Sequence, residues 1–134
     1  MAEEIVSNVP EAVKRILRFK EVKIHEERKC ISAILDFNPE ILDVYGYIHG
    51  SIIAVLNIVV AESAARLATS SDEYLIVVNT SINFIKQPEV FGDLEIEACV
   101  MSRTDKLVLV SSQVRCENID LSHANFVFVA EKVS

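Results

Sequence analysis

Nine of the ten residues at 52–61 are apolar, Asn57 being the exception, and no spacing leaves them a polar face. Good helix formers follow at Ala61, Ala64, Ala65 and Ala68, and Ser70, Ser71 and Asp72 break the pattern. A helix that is apolar all round must be covered on nearly every side. The apolar run is about half the roughly 20 residues needed to span a bilayer, so the cover has to come from the chain itself. At 134 residues the chain is long enough for one domain with a substantial core.

The flanking sequence reads as that cover. Ser7 and Asn8 suit an N-cap, Pro10 suits a first helical turn, and Val9, Val13, Ile16 and Leu17 recur at helical spacing, so a short helix is expected to run to about Phe19. Residues 20–29 alternate in charge as an edge strand does. Ile31, Ala33, Leu35 and Phe37 share one face of a second strand, closed by Asn38-Pro39. Beyond the apolar helix, residues 74–86, 94–100, 107–116 and 121–129 read as four further strands. Turns are expected at Pro88 and Gly92-Asp93, at 103–106 and at 117–120. The order is helix, two strands, buried helix, then an antiparallel meander of four. This is an α+β chain in which a curved antiparallel sheet of five to six strands wraps one long helix. Residues 1–134 form one domain in this reading, with 1–20 as an N-terminal helical extension.

Charge and cysteine usage bound the partners. A net charge of −7, without clustered Lys or Arg, excludes a general affinity for nucleic acid. Glu3 and Glu4 stand where a signal peptide would be basic, so a cytoplasmic protein with no membrane contact is expected. Cys30, Cys99 and Cys116 are odd in number and widely spaced, and all three are expected to be small apolar filler. His25 and His123 have no ligand-spaced partner, so no metal is expected.

Two motifs carry a resemblance. The run Asp43-Val44-Tyr45-Gly46-Tyr47-Ile48-His49-Gly50-Ser51, leading straight into the apolar helix, resembles the N-x-x-G-x-x-H-G-G signature of hotdog-fold acyl-CoA thioesterases of the phenylacetate-pathway type. About forty residues on, Ile82-Asn83-Phe84-Ile85-Lys86-Gln87-Pro88, with Gly92-Asp93 behind, resembles the family's "F-[LIM]-x-P…G-[DE]" strand and turn, here one residue longer. The resemblance spans roughly residues 29–129. It implies a hotdog fold and a homodimer or dimer of dimers that binds acyl-CoA at subunit interfaces. No cofactor is implied beyond the coenzyme A thioester as substrate or ligand.

The resemblance also assigns roles. Gly50 matches the residue whose N–H, at the helix N-terminus, polarises the thioester carbonyl. Negative charge develops on that oxygen, and unsatisfied helix N–H groups point there. His49 matches the histidine that shapes the loop and holds the thioester, or is simply a capped helix start. Asp43 replaces the usual Asn, as a base or as a solvated loop carboxylate. Ser51 replaces the second glycine, as a ligand donor or a local cap. Gly46, Ser51, Asn57, Ile58 and Asn83 are carried as ligand contacts.

One position departs from the family. The acid expected nine residues after the histidine is Ile58, which can neither take a proton nor attack a thioester. Glu62 shares that helical face about 6 Å further along. It is the candidate base, or else the partner of Arg66 one turn on. Arg66, Lys86, Arg103 and Lys106 are the basic residues available for a coenzyme A phosphate. Three readings follow: a thioesterase using Glu62 or Asp43, a non-catalytic acyl-CoA-binding or sensing protein, and a degenerate subunit that only pairs with an active homologue.

Overall fold

The computed structural model describes residues 9–86 and 92–133. Helix α1 (Glu11–Ile16) leads into β1 (Phe19–His25) and β2 (Cys30–Leu35). A 3-10 turn (Pro39–Ile41) precedes helix α2 (Gly50–Arg66), and β3 (Glu73–Phe84), β4 (Leu94–Thr104), β5 (Leu107–Cys116) and β6 (Ile119–Lys132) follow. Helix α1 starts after Pro10 and ends at Ile16, shorter than expected, and its expected caps Ser7 and Asn8 lie outside the described residues. The Gln87-Pro88 part of the second motif lies outside them as well.

All strand pairings are antiparallel, in the spatial order β1-β2-β4-β5-β6-β3. The expected meander of four therefore holds only for β4–β6. Strand β3 pairs with β6 at the far edge, and β4 takes the place beside β2. Alternation tells which face of a strand is apolar but not which strand lies beside it, and β3 and β4 are consecutive strands that do not pair.

Helix α2 lies on one face of this sheet. Ile53, Leu56, Val60, Ala61, Ala64 and Ala65 are buried against inward residues such as Ala33, Ile96, Ala98, Val110, Phe126 and Phe128. Its remaining face (Ile52, Val55, Ile58) is only half-buried. An apolar helix covered by one sheet on one side keeps an apolar stripe on the other.

Two cross-links tie the sheet. Cys30 and Cys99 sit opposite each other on β2 and β4 and form a disulfide. That corrects the filler reading for this pair: the strands are neighbours in space while the cysteines are far apart in sequence. Cys116 is buried and free, and burial pushes its thiol pKa up. At the other end of α2, Arg103 grips Glu73 through two contacts of 3.0 and 2.8 Å and donates to the Ala68 carbonyl at 2.8 Å. The Arg103 hydrogen bond, with the Ser70 N–H behind it, lowers the Glu73 carboxyl pKa to about 2. Among the described residues no helix is long and apolar enough to cross a membrane.

Candidate functional site

The loop before α2 is built by Asp43. Its Oδ1 accepts the N–H groups of Tyr45 and Tyr47 at 2.8 and 3.1 Å, and its own N–H donates to the Tyr47 carbonyl at 2.7 Å. This is an Asx-type turn. Gly46 completes it at φ +84°, a left-handed conformation that favours glycine. Leu42 and Ile48 bridge across the base, and buried Ile41 and Ile48 anchor the loop in the core. Asp43 is thus engaged in shaping the loop, and Gly46 serves the turn.

That loop delivers His49 as the N-cap of α2. Its Nδ1 accepts the Ser51 N–H at 3.1 Å, and the Ser51 hydroxyl lies 2.7 Å from the same nitrogen. A ring nitrogen that accepts carries no proton, so the neutral imidazole has its N–H on Nε2. Ser51 braces the capping histidine. Gly50 is then the first helical residue, where backbone N–H groups have no intrahelical partner and the helix dipole is positive.

Gly50 opens on a small cavity of about 120 Å³, lined by Gly50, Ile53, Phe84 and Lys86. A Cβ on Gly50 would stand 3.5 Å from the Phe84 ring, in ordinary contact. The two motif segments therefore meet here: the first turn of α2 supplies a backbone donor, and the end of β3 supplies an aromatic wall and a cation. Of the basic residues expected near an anion, Lys86 is the one at this cavity. Arg103 is held by Glu73, Lys106 lies 3.6 Å from Glu131, and Arg66 is at the opposite end of the helix.

Other expected residues fall elsewhere. Asn57 does not line the cavity: it is fully buried beneath the helix, hydrogen-bonded to Ile53, Ser112 and Ser122. Asn83 pairs with His123, one strand position out of phase with the inward Ile82 and Phe84, so it faces the outer side of the sheet, away from Gly50. Its neighbours in the sequence motif are the residues that reach the helix. Ile58 and Glu62 are both half-buried, about 12 and 18 Å along the axis from Gly50 at the α-helical rise per residue. Neither reaches the Gly50 N–H within one chain. Asp93, of the glycine-acid pair, accepts Lys20 at 2.8 Å and the Phe37 N–H at 2.9 Å, which hold its carboxyl pKa low. It is a clamp between β1, β2 and β4. Among the described residues no three His, Cys, Asp or Glu side chains could hold a metal ion.

Sequence reasoning passed over Phe84 as a site wall, and Ser112 and Ser122 as core residues. The signal for the serines is their position: Ser112 follows Val108 and Val110 on the inward face of β5, where a hydroxyl needs a buried partner.

One long helix wrapped by a six-stranded antiparallel sheet, with a capped histidine-glycine start, is the hotdog architecture of thioesterases. The thioesterase superfamily profile matches residues 45–123, more than half the chain, and the chain belongs to that superfamily. No curated protein matches it in sequence. Among solved structures, it is similar to a thioesterase from Haemophilus influenzae (TM-score 0.83, 16% identity, covering 98% of this chain and 88% of that one). It is also similar to a phenylacetic acid degradation-related protein from Ralstonia eutropha JMP134 (0.80, 13%, 96% and 97%). A third similar structure is a hypothetical thioesterase from Streptococcus pneumoniae solved with coenzyme A (0.72, 12%, 86% and 85%). At these identities the likeness establishes the fold.

Proposed function

We propose that this chain is an acyl-CoA thioesterase whose site is completed by a second copy. The observation that carries the reading is the placement of Gly50: a helix N-terminus opening on a cavity with an aromatic wall and a lysine. The similar Streptococcus protein solved with coenzyme A supports a coenzyme A ligand. Its thioester carbonyl would accept from the Gly50 N–H, and Lys86 would meet an anionic part of the ligand.

The base must come from elsewhere, since Glu62 lies about 18 Å from Gly50 in its own chain. Two features support a homodimer. Strand β3 is an edge strand with exposed Tyr74, Ile76, Val77 and Val78, and α2 keeps a half-buried apolar stripe. Antiparallel pairing of two copies along β3 and α2 would bring Glu62 of one toward Gly50 of the other. Glu62 then takes a proton from water as its oxygen attacks the carbonyl carbon. The resulting oxyanion rests on the Gly50 N–H, and the intermediate collapses with expulsion of the coenzyme A thiolate, which takes up the proton.

The second reading, a non-catalytic acyl-CoA-binding protein, is favoured by one observation: Ile58 stands where the resembling enzymes carry their acid. Thiol release measured over short, long and aromatic acyl-CoAs separates the two. Turnover that Glu62→Gln abolishes supports the enzyme. Coenzyme A binding by calorimetry without turnover supports the binding protein.

A further inference from the structure

Asn57 is the polar exception in an apolar run and has no exposed surface. Its amide is fully engaged: Nδ2 donates to the Ile53 carbonyl at 2.8 Å and to Ser122 Oγ at 3.0 Å, and Oδ1 accepts from Ser112 Oγ at 2.6 Å. Two of the three arms lead toward the cavity. Ile53 is one of its walls beside Gly50. Ser122 is the strand partner of Phe84, the opposite wall. The carbonyl of the adjacent Leu121 accepts the Ile85 and Lys86 N–H groups at 2.9 and 3.4 Å. Through Ser122 on β6, this side chain links the first turn of α2 to the strand that pairs with the end of β3.

Stability does not require such a group. Replacing a buried polar network by apolar groups of similar shape is commonly close to neutral. Register is what such a group can specify. An apolar helix on an apolar sheet has only non-directional contacts against rotation or sliding, whereas hydrogen bonds have geometry, and buried polar residues fix register in other helix packings.

We propose that Asn57 is a positioning residue: through Ile53 and Ser122 it sets the gap between Gly50 and Phe84 into which the thioester carbonyl must fit. This rests on the thioesterase reading of the Gly50 cavity. The test is the triple variant Asn57→Leu/Ser112→Ala/Ser122→Ala, which removes the network without leaving a buried polar group unpaired. It is measured by steady-state kinetics, thermal unfolding and amide hydrogen exchange. The thermal midpoint should stay within about 5 °C of wild type and KM within about twofold, while kcat falls about tenfold to hundredfold because the reacting groups are misplaced. Exchange at the hydrogen-bonded Ile52 and Ile53 amides should quicken at least about tenfold. A role in stability alone would move the midpoint and leave kcat unchanged, and a folded triple variant with wild-type kcat overturns the proposal. Should the triple variant not fold, Ser122→Ala alone cuts the link to Phe84 and must show the same loss of kcat; unchanged kcat there overturns it equally. If wild type turns over no acyl-CoA, the thioesterase reading fails, and positioning is decided by exchange, with unchanged rates at Ile52 and Ile53 overturning it.

Discussion

Removing the Cys30–Cys99 bridge offers a quantitative test of the fold. The two cysteines are 69 residues apart, and the loop they close contains α2, β3, the Asp43 turn and all four residues of the Gly50 cavity. A cross-link removes conformational entropy from the unfolded chain in proportion to the logarithm of the loop length, which for a loop of this size corresponds to about 4 kcal/mol at 25 °C. Divided by the unfolding entropy typical of a chain this long, it becomes a fall in thermal midpoint of about 15 °C. The assay is thermal unfolding of wild type with and without reductant, beside Cys30→Ala/Cys99→Ala. Alkylation after denaturation counts the thiols: one without reductant, from Cys116, and three with it. The variant and reduced wild type should melt together, well below the oxidised chain. Three reactive thiols in unreduced protein, or a shift of less than about 3 °C on reduction, would refute the reasoning.

Two further outcomes follow from the structure. Glu73 has its pKa lowered from 4.5 to about 2 by Arg103, so its pairing stabilises the fold above pH 4.5 and that contribution is lost as pH falls toward 2. The midpoint difference between wild type and Glu73→Gln should be constant above pH 5 and close as pH drops through that window; a difference that persists at pH 2 refutes it. Ile58→Asp places an acid on the half-buried side of α2, where the resemblance implies one. It should raise thiol release by about 100-fold or more if a base there meets a thioester held at Gly50, at some cost in melting temperature; a folded variant no faster than wild type counts against that geometry.

How much of this was legible beforehand depends on what each residue had to say locally. The helix was legible because a long apolar run has few other uses. The capping role of His49 was one of its two readings because a cap acts within a few residues; the turn roles of Asp43 and Gly46 emerged only from the structure. Partners distant in sequence were not legible. The crossing of β3 to the far edge, and the meeting of Cys30 with Cys99, depend on strand order, which alternation does not encode. A motif names residues without stating parity: Phe84 and Asn83 are adjacent in sequence and on opposite faces of the sheet, so only Phe84 faces the Gly50 cavity. Asn57 was recognised as unusual, yet its role needed Ser112 and Ser122, whose hydroxyls look ordinary in strand sequence until their inward position is known.

The account turns on the Gly50 N–H, and one pair of variants isolates it. Gly50 is the first residue of α2, where proline is well tolerated, and His49 before it is already extended at φ −65° and ψ 142°, as a residue preceding proline prefers. Gly50→Pro therefore removes the donor and spares the helix. Gly50→Ala keeps the donor and adds a methyl in ordinary contact with Phe84. With kcat/KM for acyl-CoA hydrolysis as the readout, Gly50→Pro should lose about 100-fold to 1000-fold while remaining folded, and Gly50→Ala, which keeps the donor but narrows the gap to Phe84, should lose less. A folded Gly50→Pro variant that hydrolyses acyl-CoA as fast as wild type would contradict the account.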